Sequence, residues 1–302
     1  MAEGDSPTVA RRRVRLAIRE ARDAAGLTQS QVAEAMEWSH SKVIRIENGE
    51  VSISPNDLRP LLTHLGVKDR AAVNELVAAA RIARQRQRQA WYQKPEHREH
   101  MSDALRHLIE YEAEARAIRY YQMYFMPGPL QLPEYAAALM TKYEDEIPPD
   151  SIRIFVEARR MRREAILRRL GSLDIFILLD ESVLRRPIGG PTVFAAQLRE
   201  LYRLSTDGHV NIRMIPFSAD VALTNNATFD LLTLGGATDE GEVLYRESGM
   251  ADEIVEDKMT TARHHRRFQK IWEEAASEDD TIDFIRGQIG SLETSLKRNR
   301  QG

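Results

Sequence analysis

Two adjacent carboxylates, Asp180-Glu181, follow an apolar run that ends at Leu179, where α/β enzymes often keep acid–base groups. Neighbouring residues on a strand point to opposite faces, so this pair cannot work jointly on one bond, and acids closing a strand are the better reading. His97 and His100 in HREH have the i, i+3 spacing that sets two imidazoles on one helix face, a spacing that suits a metal ion. No matching ligand set follows, His264 and His265 are adjacent, and a solvated helix face is expected instead. There is no Gly-rich phosphate loop, G-x-S-x-G or H-E-x-x-H, and Gly189-Gly190-Pro191 reads as a turn. The chain has no cysteine, which removes disulfides, thiolate metal sites and a thiol nucleophile. No catalytic residue, cofactor or metal is therefore expected, and the chain is not expected to be an enzyme.

The charge distribution points elsewhere. The net charge is −3 over 302 residues, but residues 1–90 hold 15 basic against 11 acidic side chains, and the remainder 28 against 35. A basic module followed by a larger acidic one suggests a nucleic-acid partner for the first. The length is twice the ~150 residues of a typical domain, which predicts two domains. The longest apolar run, Ile175-Phe176-Ile177-Leu178-Leu179, is far below the ~20 residues that span a bilayer. The N-terminal MAEGDSPTVARRR has no apolar core of the secretory kind, so a cytoplasmic protein with no membrane partner is expected.

Five short helices are predicted over residues 8–84. Val14, Ala17, Ile18, Ala21 and Ala25 fall on one helical face, and Gly26 closes that helix. Thr28 and Gln31 form a T-x-x-Q capping box for the second helix, whose buried face is Val32, Ala33 and Met36. After a turn at Glu37-Trp38, Ser39 caps a third helix that runs to Asn48-Gly49, with Val43 and Ile46 facing inward. Ser54-Pro55 starts a fourth helix with Leu58, Leu61, Leu62 and Leu65 as its stripe, and the fifth covers about Asp69 to Arg84. Helix, tight turn, helix within a five-helix unit is helix-turn-helix geometry.

The run from Leu27 to Glu50, LTQSQVAEAMEWSHSKVIRIENGE, resembles the Xre/Cro/phage-repressor helix-turn-helix family. Leu27, Thr28, Gln29, Ala33, Ser39, Ser41, Arg45, Ile46, Glu47 and Gly49 carry the match. Glu37 stands in place of the usual turn glycine and Trp38 in place of a small aliphatic. The resemblance implies a third helix lying in the DNA major groove, with His40, Ser41, Lys42 and Arg45 at base edges and Ser39 chiefly a cap. It implies Gln29 on a phosphate at the start of the second helix. Arg11, Arg12, Arg13 and Arg15 add phosphate contacts or belong to a disordered tail. It further implies an ion pair between Arg22 and Glu47 that joins the first and third helices.

Residues 85–100 read as a linker, and residues 101–302 as a larger α+β domain with a small mixed sheet. A helix from Met101 carries Leu105, Leu108, Ile109, Ala115 and Ile118, followed by the aromatic cluster Tyr120, Tyr121, Tyr124 and Phe125. Pro127-Gly128-Pro129 breaks it and Pro133-Glu134 starts another. A helix over about 151–170 carries seven arginines, read as a solvated or protein-contacting face. Strands are predicted at 173–179, 210–215, 228–234 and 242–245, with a helix over 192–205 making the first two a parallel crossover. The last two strands close through GGATDEG, and helices over 252–276 and 280–296 end the chain.

The segments MPGPLQLPEYA, RRMRREAIL, LDESVLRRPIGGP, QLRELYRL and VNIRMIPF resemble the long C-terminal domain of unknown function in actinobacterial WhiJ-like Xre regulators. Pro129, Leu132 and Glu164 depart from that family's pattern. The two resemblances together imply a transcription regulator bound to double-stranded DNA as a homodimer, on a near-palindromic operator. The C-terminal domain would hold an effector or a small BldB-like partner protein. The alternative is an antitoxin-like protein that chiefly sequesters such a partner.

Overall fold

The computed structural model describes residues 7–84, 90–220, 228–235, 241–247 and 251–299. The chain divides into two compact units, with the first reaching to Ala90 and the second starting at Trp91. The architecture is a five-helix bundle followed by an α+β domain built on one mixed sheet.

In the first unit α1 (Pro7–Ala24), α2 (Gln29–Ala35), α3 (His40–Glu47), α4 (Pro55–His64) and α5 (Arg70–Ala83) pack around one apolar cluster. Val14, Ile18, Val32, Val43, Ile46 and Leu58 lie inside it, with Met36 and Trp38 packed against its edge. The starts of these helices follow from local chemistry. Thr28 and Gln31 make a reciprocal capping box, and the Ser39 and Ser54 hydroxyls accept from the Lys42 and Asp57 amides. The arginines near the N-terminus are not a disordered tail. They lie within α1, with Arg12 and Arg15 buried, Arg13 paired with Glu75 at 2.9 Å and Arg11 donating to Ser52 at 3.2 Å. Their aliphatic stems cover apolar surface while their heads find partners in the fold. Gly49 is required by its neighbour: its φ is +78°, and a Cβ there would lie 2.9 Å from Arg15 Nε.

The second unit opens with a 3₁₀ turn at Trp91–Gln93 and α6 (Pro95–Arg98), so the later part of the expected linker is structured, with Tyr92, His97 and Met101 buried. Residues 85–89 of the expected linker and residues 236–240 of GGATDEG lie outside the described residues. There follow α7 (Asp103–Glu114), β1 (Ala115–Gln122), α8 (Pro133–Met140), α9 (Pro149–Leu167), β2 (Asp174–Asp180), α10 (Glu181–Arg185), α11 (Gly190–Thr206) and β3 (Asn211–Ile215). Then come β4 (Phe229–Leu234), β5 (Glu242–Glu247), β6 (Asp252–Val255), α12 (Lys258–Glu274) and α13 (Glu278–Asn299).

The sheet order is β3-β2-β1-β4-β5-β6. β2 is parallel to both β1 and β3, and β4, β5 and β6 add antiparallel. Side chains alternate between two cores. Ile118, Tyr120, Ile177 and Ile212 face the larger cluster under α7, α11 and α13, and Tyr121, Leu178 and Phe229 face Phe268 and Trp272 of α12. β1 is the central strand, where a continuing helix was expected. Both of its faces are buried, with Tyr120 and Tyr121 each fully enclosed, so it shows no polar alternation to mark it. Residues 252–255 form an edge strand rather than the first turn of the following helix, because Asp257 caps that helix by accepting from the Thr260 amide at 2.7 Å.

The arginine-rich α9 also departs from expectation. Arg153, Arg160 and Arg168 are exposed, but the other four turn into the domain. Arg162 is bidentate to Glu112 of α7, with Nε–Oε2 at 2.9 Å and Nη2–Oε1 at 2.7 Å. Arg163 pairs with Glu200, and Arg169 donates to the Glu112 and Ala115 carbonyls. α9 thus joins α7, β1 and α11 through guanidinium forks, which suit carboxylates and carbonyls better than an ammonium does. Glu164 is taken by Arg160 of the same helix.

Because the Arg162–Glu112 pair is buried, losing one partner strands a charge. Glu112→Ala is expected to destabilise the protein by about 3–5 kcal/mol, and Glu112→Ala with Arg162→Met to recover much of that loss. Denaturant unfolding followed by circular dichroism reads both. A single variant as stable as the parent contradicts this account.

Candidate nucleic-acid interface

The turn between α2 and α3 is tight. The Trp38 amide donates to the Ala33 carbonyl at 2.8 Å and the Glu37 amide to the Glu34 carbonyl at 3.1 Å. That crossed pair is a helix-ending motif whose middle residue must be left-handed. Glu37 takes that conformation, with φ +55°, the only non-glycine to do so among the described residues. Trp38 then folds back against the helical core.

α3 is held by a buried acid. Glu47 is 2% exposed and receives three side-chain hydrogen bonds. Arg22 of α1 supplies two, Nε to Oε1 at 2.7 Å and Nη2 to Oε2 at 2.9 Å, and Gln29 of α2 supplies the third, Nε2 to Oε2 at 2.9 Å. Arg22 Nη1 also reaches Asp23 at 2.7 Å and the Leu27 carbonyl at 3.0 Å, so the guanidinium bridges α1, α3 and the turn between α1 and α2. The hydrogen bond to Glu47 raises the Arg22 pKa above its ordinary value, burial opposing the rise.

On the outer side of α3, Ser39, His40, Ser41 and Arg45 are exposed and Lys42 is half-buried. The Ser39 and Ser41 hydroxyls are 3.2 Å apart. Arg45 lies 3.5 Å from Glu50. Lys42 is more engaged than its periodicity implies, with Nζ 3.8 Å above the Trp38 ring and 3.4 Å from Asp57. Gln29 uses one amide N–H on Glu47 and keeps the other. The structure therefore gathers Ser39, His40, Ser41, Lys42 and Arg45 on one helix face, with Gln29 set by Glu47. The Lys42 contacts are the feature sequence reasoning missed. An aromatic at position 38, four residues before the lysine, is the one signal that was available.

The candidates weighed for catalysis have structural partners. Asp180 accepts from the Ser182 amide at 2.9 Å, and Glu181 accepts from the Phe217 amide at 2.8 Å while pairing with Arg185. His97 is buried edge-on to Trp91, His100 Nδ1 contacts the Ser151 hydroxyl at 2.8 Å, and His264 Nδ1 the Thr260 carbonyl at 2.8 Å. Among the described residues, no group of three or more His, Asp or Glu could hold a metal ion.

Glu47→Ala leaves the Arg22 guanidinium without its buried partner and is expected to cost the first unit roughly 3 kcal/mol. An unchanged thermal midpoint would remove the pair from this account. Glu37→Gly is expected to raise stability by about 1 kcal/mol, because only glycine enters the left-handed region without strain. A destabilised Glu37→Gly protein contradicts that reading of the turn.

Comparison with known families matches residues 14–76 to a helix-turn-helix domain, and residues 105–287 to a domain of unknown function, DUF5753. No curated protein and no solved structure matches the chain. Among the described residues, no helix is long and apolar enough to cross a membrane. The helix-turn-helix domain supports DNA as a partner and transcription regulation as the role. The second match spans more than half of the chain. With its helix-turn-helix domain placed ahead of that region, the chain belongs to the DUF5753 family.

Proposed function

We propose that the protein is a sequence-specific transcription regulator of the Xre type, akin to the actinobacterial WhiJ-like regulators, acting as a homodimer on a near-palindromic operator. One observation carries this reading. α3 presents Ser39, His40, Ser41 and Arg45 outward from a backbone locked by the buried Glu47. A preset helix face of donors is what reading base edges in the major groove requires.

The residues divide the work by geometry. Arg45 is the main base reader, since a guanidinium fork matches the O6 and N7 acceptors of guanine, and Glu50 holds it until DNA arrives. Lys42 reads or contacts a phosphate once it leaves Asp57, with the Trp38 ring keeping it near the groove. His40 and Ser41 complete the face, and Ser39 stays a cap. Gln29 gives its second N–H to a phosphate oxygen. A homodimer with half-sites one helical turn apart makes up for the small contact area of one module. The C-terminal domain binds an effector or a small BldB-like partner that tunes occupancy. No catalytic step belongs to this reading.

The test is fluorescence anisotropy of the full chain on its selected operator, at fixed salt because phosphate contacts make affinity salt-dependent. Arg45→Ala is expected to weaken operator binding by about 1–3 kcal/mol, some fivefold to over a hundredfold, with the fold intact by circular dichroism. Undiminished affinity and selectivity would remove α3 as the reading element.

A further inference from the structure

The second unit holds a partly open cavity of about 460 Å³ between α9, the 126–131 segment and strands β4 and β5. That volume lies within the range of small-molecule sites. Its wall is split by charge sign. From α9 come the guanidiniums of Arg159 and Arg162, from β4 and β5 the carboxyls of Asp230 and Glu247, and from the segment before α9 and from β6 those of Glu146 and Asp252, the last already accepting from the Ser102 hydroxyl at 2.6 Å. Phe125, Phe155, Leu139 and Met140 supply apolar surface.

Hydrogen-bonding capacity is left over on this wall. Arg162 spends Nε and Nη2 on Glu112, and its Nη1 has no hydrogen-bond partner among the described residues. Gly128 keeps that nitrogen open, since a Cβ there would stand 3.2 Å from it. Arg159 donates Nη1 to the Phe155 carbonyl at 3.2 Å, and its buried Nε has no partner among the described residues. On the facing strands, Asp230 accepts from Gln122 at 2.8 Å through Oδ1 only, and Glu247 has no hydrogen bond or ion pair among the described residues. Gln131 is 4% exposed, its amide fixed by donation to the Met126 carbonyl at 2.8 Å, which leaves the buried Oε1 without a donor. Arg162 and Asp230 are 8% and 6% exposed. Burying such groups is costly unless they are paired. Burial lifts the Asp230 carboxyl to about 7 and lowers the Arg159 pKa, while Glu247 is exposed at the end of β5. Opposite charges across the wall offset part of that burial without a direct hydrogen bond between them.

We propose that this cavity binds a small zwitterion of the amino-acid or short-peptide class. Its carboxylate lies against Arg159 and Arg162, its ammonium against Asp230, Glu247 and Gln131 Oε1, and its apolar part against Phe125 and Phe155. A purely anionic ligand leaves the strand carboxyls unpaired, and a purely cationic one leaves the guanidiniums unpaired. The inference rests on the reading of this domain as the effector-binding half of a regulator, and names the effector's chemistry.

The test is thermal denaturation of the full chain with each of the twenty amino acids and a dipeptide set, at up to about 10 mM. N-acetylated and C-amidated forms of every hit serve as comparisons. At least one zwitterion is expected to raise the midpoint with rising concentration, its capped forms binding about tenfold or more weakly. Arg159→Gln and Glu247→Gln are expected to weaken the hit by a similar factor. No response from any probe overturns the proposal, and so do capped forms as good as the zwitterion, a comparison that needs no variant. Sequence-specific DNA binding without any zwitterion response contradicts this inference alone. A zwitterion response without DNA binding contradicts the regulator reading alone.

Discussion

A carboxylate buried beneath the recognition helix is the constraint around which the first unit is organised. At 2% exposure the Glu47 carboxyl group needs hydrogen-bond donors, and it has three, from α1 and α2. Meeting that need fixes three helices at once. α3 cannot rotate without breaking a bidentate fork, and α2 cannot drift without losing the Gln29 amide. The outward face of α3 is then set by what its inward face must satisfy. The proposed base readout depends on that rigidity, because donors placed about 1 Å off lose the bidentate geometry that tells one base pair from another.

The second unit applies the same principle at larger scale. α9 is anchored by arginines as well as by buried Ile154, Ala158 and Ile166, and Arg162, Arg163 and Arg169 end on carboxylates or carbonyls of other elements. Where the partners are complete, as for Arg162 Nε and Nη2 on Glu112, the result is framework. Where they are incomplete, as for Arg159 and the far edge of Arg162, the result is a partly open cavity with both charge signs on its wall. Framework and candidate site share one helix, so occupancy of the cavity bears directly on the element that ties α7, β1 and α11 together.

Much of this was legible in the sequence wherever the cause was local. Thr28 with Gln31, Ser39, and Ser54-Pro55 mark helix starts because a cap satisfies amides two or three residues on, and the strands at 174–180, 211–215, 229–234 and 242–247 showed their β-rich runs. β1 was hidden because a strand buried on both sides loses its alternation, and Ala115, Ile118 and the tyrosines fit a helical stripe equally well. The fate of the α9 arginines was hidden because their partners lie far along the chain, Glu112 fifty residues from Arg162. Lys42 faces solvent by its periodicity and reads as a DNA contact by the resemblance, and only the fold brings the Trp38 ring and Asp57 to it. The Arg22–Glu47 assignment came from the helix-turn-helix resemblance, since spacing alone does not bring together residues 25 positions apart.

The central claim is that a rigid α3 face reads a DNA sequence. Selection of random-sequence duplexes by the purified full chain, at a stated salt concentration, tests it most directly. The account predicts an enriched near-palindrome whose half-sites lie about one helical turn, roughly 34 Å, apart. A pool that stays random after repeated selection would contradict it.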